Sequence, residues 1–398
     1  MIEAAERHTS GAAVVGVSMG ATCGVRDHAT LLAAALGELD VSCELHWLSR
    51  EQSSLRGARS EFRAWTEKLT AELEQQRPRA ILLHYSVFSY SYRGLPLFVE
   101  PVLSTLRRTG VPVVTVLHEF AYPWTMGGLT GVGWALSQRA VLVDVVGSSR
   151  ALVVTAPSRI DWLASRRWLP RRPPALAPVF SNLPSASHLP PRREPARRRI
   201  GLFGYAYEGA ARGLVLDTMA LLSKQGLDFG LVLLGAPGPG SPAADAWRGD
   251  ARQRGVEDAL AFSGVLPPHE LADALAACDV LLHPEPDGPT SRKGTLAASL
   301  ASGAPVVALD GPRRWDELLS AEAAAVVAPS PASMAEAVAR LLADEPMRLA
   351  LGRRGAEFAR DAMGVDRSAR VVAQVLDELD GRLPVAAGGV RLREAIGR

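Results

Sequence analysis

Two cations, two hydroxyls and a glycine stand together in the segment SRKGT at 291–295. The segment follows a loop with three prolines between 284 and 289, and it precedes apolar residues that share one helical face, beginning at Leu296. A helix is therefore predicted to start here, with Thr290 or Ser291 as its N-cap. A helix N-terminus presents unpaired amide groups and about half a positive charge. Combined with the side-chain cations, this start is typical of a phosphate or diphosphate site.

Two other interpretations concern the same segment. A capped helix start that faces solvent is an alternative, because serine and threonine are common N-caps in any helix. A Walker A loop is excluded, because Lys293-Gly294-Thr295 stands where that motif needs Gly-Lys-Thr. Strands predicted over 278–283 and 305–309 flank the segment, so it forms one βαβ unit of a parallel sheet.

Length and composition limit the class of protein. At 398 residues the chain is long enough for two domains, and 47% hydrophobic residues supply a core for each. A net charge of +2 argues against nucleic acid as a partner. Cys23, Cys43 and Cys278 have the spacing of neither a disulfide framework nor a metal site. A polar N-terminus and the lack of any apolar run near about 20 residues predict a soluble cytoplasmic protein without a signal peptide or transmembrane segment.

Strands and helices alternate along the whole chain. This order predicts an α/β fold with two doubly wound parallel sheets, joined by a proline- and arginine-rich linker over 183–199. Helices are predicted over 134–147, after a glycine-rich stretch that ends at Gly133, and over 347–381 with a break near Gly364. The predicted strands of the first half are 12–17, 42–48, 80–84, 113–117, 152–155 and 176–179. Those of the second half are 200–203, 229–234, 260–263, 278–283, 305–309 and 324–327.

The carboxyl ends of the predicted strands hold most of the reactive side chains. Ligands of open α/β sheets bind at these ends, and two such sheets joined by a linker leave a cleft between them. We therefore expect a ligand site in the cleft. The loops at this edge carry His84, His118, Glu119, Trp124, Tyr205, Arg212, Arg292 and Lys293.

A series of short motifs follows a recognisable order. The second half carries Phe203-Gly204-Tyr205 with Arg212-Gly213, then Leu234-Gly235, Ser263-Gly264-Val265, Ala277-Cys278-Asp279-Val280 and ASGAPVVA at 301–308. The first half carries Cys23-Gly24-Val25 before an apolar helix and His118-Glu119 after a strand. Over roughly residues 12–380 this order resembles the GT-B-fold retaining glycosyltransferases of family four, the group 1 glycosyl transferases.

The resemblance implies a GT-B fold, in which two Rossmann-like domains face each other across a cleft. Residues 1–182 would bind the acceptor, and residues 200–365 the nucleotide sugar. A helix over 366–383 would cross back to the first domain, and 384–398 would form a flexible tail. The implied activity is transfer of a hexosyl group from a nucleoside-diphosphate sugar to a small-molecule or glycan acceptor, in natural product or glycan biosynthesis. The protein would be a monomer or homodimer and would need no cofactor.

The chain departs from the family pattern at four positions. Family members carry two glutamates eight positions apart, and Thr290 and Ala298 stand at those positions here. Tyr205 stands where an arginine is usual, and Arg212 stands at a lysine position with its charge retained. The segment SRKGT is similar to that of a subgroup that replaces the glutamate loop in this way.

The side chains predict transfer without a metal. The chain has no Asp-x-Asp motif, so cations and a helix N-terminus would stabilise the leaving diphosphate. The residues predicted to act at the reacting centre are His118, Glu119, Arg212 and Lys293. The predicted nucleotide-sugar contacts are Gly204, Tyr205, Arg212, Gly235, Val265, Ser291, Arg292, Lys293, Gly294, Thr295 and Leu296. The predicted acceptor contacts are Gly20, Cys23, Gly24, Asp27, His84, Tyr85, Tyr90 and Trp124.

Each of these residues has a structural alternative. His118 would contact the transferred sugar or else cap its strand end, and Glu119 would be a base or else an ion-pair partner of an arginine. The aromatic loop that begins at His84 would stack on an acceptor or pack beneath itself. Arg212 could be a surface residue at a helix start, and the loop over 20–27 could be an ordinary tight turn. The resemblance implies retention of anomeric configuration, in which no protein nucleophile takes part.

Two alternatives to glycosyl transfer stay open. The same fold supports a sugar-nucleotide epimerase or a phosphorylase, because fold does not fix chemistry. A nucleotide-sugar-binding protein without turnover is the third possibility, and the absence of the two glutamates favours it.

Overall fold

The computed structural model describes residues 11–20, 23–124, 128–185, 197–204, 209–235, 238–379 and 381. These residues fall into two compact units. The first runs to Pro178 and includes the residues from Val365 onward, and the second runs from Val179 to Gly364. The division falls at Pro178, close to the end of the first domain that the sequence placed at 182. None of the helices in the described ranges combines the length and apolar character that a bilayer crossing requires.

Thirteen α-helices lie within the described ranges. The first five are α1 (Gly24–Gly37), α2 (Leu55–Gln76), α3 (Val99–Arg108), α4 (Gly128–Ser148) and α5 (Pro157–Ala164). The next four are α6 (Ala210–Lys224), α7 (Pro242–Gln253), α8 (Pro268–Ala276) and α9 (Gly294–Ala301). The last four are α10 (Asp316–Ser320), α11 (Pro331–Ala343), α12 (Glu345–Ala362) and α13 (Val365–Leu379). The predicted break near Gly364 separates the last two helices.

The first unit is built on six parallel strands. Aliphatic runs buried on both faces form its central strands, as expected where helices cover both sides of a parallel sheet. The strands are β1 (Ala12–Ser18), β2 (Cys43–Ser49), β3 (Ala80–Ser86), β4 (Val113–Glu119), β5 (Ala151–Val154) and β6 (Pro174–Leu176). Their order is β2-β1-β3-β4-β5-β6, so the chain reverses its direction of winding between β1 and β3. Helix α13 packs against α1 in this unit.

The second unit is also built on six parallel strands, but the order of its strands differs from that of the first unit. Its strands are β7 (Arg198–Gly204), β8 (Phe229–Gly235), β9 (Leu260–Gly264), β10 (Val280–His283), β11 (Val306–Leu309) and β12 (Ala325–Val327). The order β12-β11-β10-β7-β8-β9 places the reversal between β7 and β10. Crevices at such a reversal are where open α/β sheets bind ligands. All of the strands predicted from the sequence are present, with their ends shifted by a few residues.

One predicted boundary is wrong. The sequence assigned the glycine-rich stretch up to Gly133 to a loop and began the helix at Trp134, but α4 begins at Gly128. Gly131 and Ala135 are both buried in α4, so the small residues lie on its packed face. Tertiary packing against α3 therefore outweighs the low helix propensity of glycine.

The loop between β10 and α9 rests on the chain just after β11. Gly288 has a positive φ of 86°, which favours glycine, and its backbone lies directly against Gly311. The Arg313 amide donates to the Asp287 carbonyl at 2.8 Å, and the Trp315 amide donates to the Pro289 carbonyl at 2.9 Å. The proline-rich loop over 284–289 is thereby held in one conformation ahead of the helix start.

Replacing Gly311 with alanine tests this contact. The added carbon would lie 2.3 Å from the Asp287 carbonyl carbon and from the Gly288 nitrogen, so the backbone must move. We expect Gly311→Ala to lower the free energy of unfolding by about 1–3 kcal/mol, measured by urea titration. Gly249→Ala in α7 is the control, because nothing lies within 4 Å of its added carbon. A Gly311→Ala protein as stable as the control would show that the loop is not held by this contact.

Candidate functional site

The predicted diphosphate site surrounds the first turn of α9. The helix begins at Gly294, its N-cap is Lys293 in an extended conformation, and no side chain caps it. The expectation that Thr290 or Ser291 caps the helix is therefore wrong. Both are buried in the preceding loop, and the Ser291 carbonyl accepts a hydrogen bond from the Val179 amide at 2.8 Å. This bond holds Ser291 away from the capping position.

The uncapped start leaves amide groups available to a ligand. The first intrahelical bond runs from the Ala297 amide to the Lys293 carbonyl at 3.1 Å. The amides of Gly294, Thr295 and Leu296 therefore have no acceptor within their own helix. The chain from 292 to 295 is partly exposed, whereas Leu296 is buried in the core. An anion at this point would meet both these amides and the positive end of the helix dipole.

Two of the predicted cations are held by carboxylates. Lys293 Nζ lies 3.1 Å from Glu285 Oε1, and both side chains are mostly buried. Arg212 Nε, in the first turn of α6, lies 2.6 Å from Asp250 Oδ2. Sequence reasoning missed Glu285 as a partner because it lies eight residues before Lys293, across an irregular loop. These ion pairs fix the position of each cation while leaving other N–H groups free to turn toward a ligand.

Two buried polar groups beside the helix start were not nominated from the sequence. Nε2 of His283 and Oγ1 of Thr290 have no hydrogen-bond partner within the part of the chain that is described. Burial is the main cause that lowers the pKa of His283 to about 4; the Glu285 charge opposes this shift and the Lys293 charge adds to it. The imidazole is therefore neutral near pH 7 and can exchange a hydrogen bond with a ligand oxygen. The position of His283 at the end of β10 is the sequence feature that could have indicated this residue.

The other predicted nucleotide contacts lie at the carboxyl edge of the same sheet. Gly204 ends β7 and Gly235 ends β8, both with positive φ values. The Gly235 amide donates a hydrogen bond to Ser263 Oγ at 3.1 Å. Val265, just after β9, is 85% exposed. Tyr205 lies outside the described residues. The structure thus gathers these positions at one edge, and their individual roles stay predictions.

Three histidines meet at the carboxyl edge of the first sheet. His84 lies at the end of β3, His118 at the end of β4 and His28 in α1. His84 Nδ1 lies 3.0 Å from His118 Nε2, and the His28 ring packs edge-on against both rings. Burial lowers the pKa of His28 to about 4 and holds the pKa values of His84 and His118 well below their ordinary value, with the neighbouring rings adding to the effect. All three imidazoles are therefore neutral near pH 7.

Glu119 is an ion-pair partner rather than an unpaired base. Its Oε2 lies 3.2 Å from Nη2 of Arg159, whose guanidinium is largely buried. The same guanidinium donates to the carbonyls of Leu117 and His118 at the end of β4. Of the two roles that the sequence left open for Glu119, the structure shows the arginine pair.

The tyrosine side chains at positions 85 and 90, at the end of β3 and in the loop that follows it, are packed in the core. Tyr85 and Tyr90 are fully buried, their rings stack with centroids 5.4 Å apart, and Tyr90 Oη donates to the His84 carbonyl at 3.2 Å. Neither ring has surface left for an acceptor, and His84 is only 1% exposed. For these three acceptor contacts the packing alternative describes the structure, because Tyr85 and Tyr90 belong to the hydrophobic core of the first unit and His84 is buried beside them.

The remaining acceptor contacts are accessible. Trp124 is 47% exposed, and the Arg139 guanidinium lies 4.1 Å from the centroid of its ring. Gly20 and Cys23 are partly exposed at the end of β1 and the start of α1, and Gly24 and Asp27 are exposed in the first turn of α1. Partial burial raises the pKa of Asp27, and the Arg26 charge opposes the rise. Their role in acceptor binding stays a prediction.

Comparison with known proteins finds similar sequences for the second unit. The family model described as "Glycosyl transferases group 1" matches residues 197–344, which contain the start of α9 and its loop. A 2-deoxystreptamine glucosyltransferase from Streptomyces kanamyceticus is 28% identical over 276 residues, which cover 69% of this chain and 66% of that relative. Over residues 197–344 the chain is similar to the group 1 glycosyl transferases. The match spans slightly less than two thirds of that relative's own length.

Solved structures show that this chain has the GT-B fold. A sucrose-phosphate synthase from Thermosynechococcus elongatus matches with a TM-score of 0.68 and 15% identity, covering 93% of this chain and 100% of the other. HepE from Anabaena, solved in complex with UDP and glucose, matches with a TM-score of 0.63 and 13% identity, covering 92% and 99%. At these identities the similarity concerns the fold.

The buried histidine beside the helix start predicts that the stability of this protein depends on pH. An imidazole whose pKa is lowered by folding binds its proton more readily after unfolding. The stability that His283 contributes is complete above its ordinary pKa of 6.5 and is lost as the pH falls toward about 4. We expect the free energy of unfolding to fall across this range, with about 1.4 kcal/mol per pH unit coming from His283.

Urea titrations at several pH values measure this slope. His283→Asn should reduce the slope by the contribution of one titrating proton, about 1.4 kcal/mol per pH unit. His269→Asn replaces an exposed histidine of the same unit and should leave the slope unchanged. An equal slope in wild type and His283→Asn would mean that His283 is not held neutral in the folded chain.

Proposed function

We propose that this protein transfers a hexosyl group from a nucleoside-diphosphate sugar to a hydroxyl of a small-molecule acceptor, with retention of configuration. The observation that carries the proposal is the uncapped start of α9. It presents three amides and two cations in the loop after β10, at the reversal of strand order in the second sheet. It lies within the residues that match the glycosyltransferase family.

The diphosphate of the departing nucleotide is the group that this site suits best. Cleavage of the sugar–phosphate bond leaves negative charge on the diphosphate, and fixed donors aimed at that charge lower the barrier. The amides of Gly294, Thr295 and Leu296 supply hydrogen bonds, and Arg292 and Lys293 supply charge. We propose that these groups stabilise the leaving diphosphate, without a metal ion bridging it. Nε2 of His283 offers a further hydrogen bond beside the same loop.

Retention constrains the route of the transferred group. The acceptor hydroxyl would attack the anomeric carbon from the face on which the diphosphate leaves, and a phosphate oxygen would take the hydroxyl proton. This route needs no protein nucleophile. Glu119, the carboxylate that the sequence nominated beside His118, is engaged by Arg159, which supports a route without a protein base.

The relatives suggest the first substrates to test. One relative is named a 2-deoxystreptamine glucosyltransferase, and HepE was solved with UDP and glucose. We therefore propose a UDP-hexose as donor and an amine-bearing cyclitol or similar natural product as acceptor. Asp27, exposed in the first turn of α1, supports an amine-bearing acceptor because it places a carboxylate beside the carboxyl edge of the first sheet.

An assay with separated donors distinguishes this proposal from the alternatives. Purified protein would be incubated with UDP-, GDP- and dTDP-glucose, with and without 2-deoxystreptamine, and the products resolved by mass spectrometry and NMR. We expect a glycosylated acceptor with the donor's anomeric configuration and release of the nucleoside diphosphate. An epimerised donor without transfer would support the epimerase, and nucleotide binding without turnover would support a binding protein; either result contradicts the proposal.

Charge removal tests the diphosphate site itself. We expect Arg292→Ala and Lys293→Ala each to weaken binding of the nucleoside diphosphate, because a charge-assisted hydrogen bond contributes about 1.5–3 kcal/mol. This corresponds to a dissociation constant about 10- to 150-fold higher, measured by isothermal titration calorimetry with the diphosphate that the donor assay identifies.

Arg252→Ala is the matched control for this experiment. Arg252 is a surface cation of the same unit that pairs with Glu257 at 2.6 Å, and it lies on α7 rather than at the start of α9. Its loss should leave nucleotide affinity unchanged. Wild-type affinity in both the Arg292 and Lys293 variants would contradict a diphosphate site at this helix.

A further inference from the structure

The three histidines at the carboxyl edge of the first sheet form a compact set of ligand atoms. His28, His84 and His118 each offer one ring nitrogen, and these nitrogens lie within 4.8 Å of one another. The two closest, His84 Nδ1 and His118 Nε2, are 3.0 Å apart. All three residues belong to the first unit, whereas α9 belongs to the second.

These distances suit a transition-metal ion. Zinc binds neutral imidazole nitrogens at about 2.0–2.1 Å in tetrahedral geometry, which places ligand nitrogens about 3.3 Å from one another. The His84–His118 pair already has nearly this separation, and the third ring needs to approach by little more than 1 Å. Hard ions such as Mg²⁺ prefer oxygen ligands and do not fit a set of three imidazoles.

The surroundings of the rings favour the same interpretation. His84 is 1% exposed and lies at the end of β3, and the His28 ring packs edge-on against the rings of both His84 and His118. Burial of the three rings against one another keeps bulk water away from an ion bound between them.

We propose that His28, His84 and His118 bind one divalent transition-metal ion, with Zn²⁺ as the expected ion. Three imidazole ligands leave the fourth coordination position of the ion for water or another ligand. The bound ion joins the start of α1 to the ends of β3 and β4.

Metal titration of the purified chain tests the site. After removal of metal by chelation, Co²⁺ would be titrated as a spectroscopic substitute for Zn²⁺, followed by displacement with Zn²⁺ and by Mg²⁺ as a negative control. We expect one tightly bound equivalent, with the visible absorption of tetrahedral nitrogen-bound cobalt, and a higher melting temperature in the presence of Zn²⁺. Mg²⁺ should produce neither effect.

Two ligand variants and a control locate the binding. His84→Gln and His118→Gln should each weaken Co²⁺ binding at least tenfold, whereas His269→Gln, at an exposed histidine of the second unit, should bind as wild type does. Tight binding that survives in both ligand variants would place the ion elsewhere and overturn the proposal. Circular dichroism without metal shows whether each variant is folded.

Diffraction from wild-type crystals makes the test independent of any variant. Crystals grown with Zn²⁺ would be measured above and below the zinc absorption edge. An anomalous peak between the three rings supports the site. Absence of a peak there, or a peak only at other histidines such as His46 or His269, overturns it. None of these outcomes depends on transferase activity, so the proposed function and this metal site can fail separately.

Discussion

The amides that open α9 have no acceptor within their own helix, and the neighbouring loops of the second unit hold them in place. Because Ser291 is tied by its carbonyl to Val179, it cannot turn to cap the helix. The loop ahead of the helix is fixed against the chain after β11 through Gly288 and Gly311. The backbone donors are therefore held in place before any ligand arrives, which is what stabilisation of a developing charge requires.

The order of strands explains why reactive side chains collect in two places. In each sheet the direction of winding reverses once, between β1 and β3 in the first and between β7 and β10 in the second. The loops on either side of a reversal diverge and leave a crevice at the carboxyl edge. The start of α9 lies at the second reversal, and His28 and His84 lie beside the first. One topological rule thus places both the start of α9, where we propose the diphosphate site, and two members of the histidine cluster.

The elements could be predicted from the sequence, whereas the pairings between side chains could not. Strands such as β1 and β3 are continuous aliphatic runs, and that pattern depends only on local composition. The ion pair of Arg212 with Asp250 and the contact of His84 with His118 join residues 38 and 34 positions apart. Such pairings depend on how the elements pack, so no spacing rule applied to the sequence reveals them.

The same distinction explains the mistaken helix cap. Serine before a helix is a sound local signal, but a long-range hydrogen bond from Val179 decides the conformation of Ser291. The buried Tyr85 and Tyr90 are a second case, because an aromatic-rich loop has the same composition whether its rings face a ligand or the core. Burial is a property of the folded chain, and it separates these possibilities where composition cannot.

The most direct measurement of the central claim is a crystal structure of the protein with a bound nucleoside diphosphate. The account predicts phosphate oxygens within hydrogen-bond distance of the amides of Gly294, Thr295 and Leu296, with Arg292 or Lys293 on the same phosphates. A nucleotide bound with its phosphates away from α9, while those amides face water, would contradict the account.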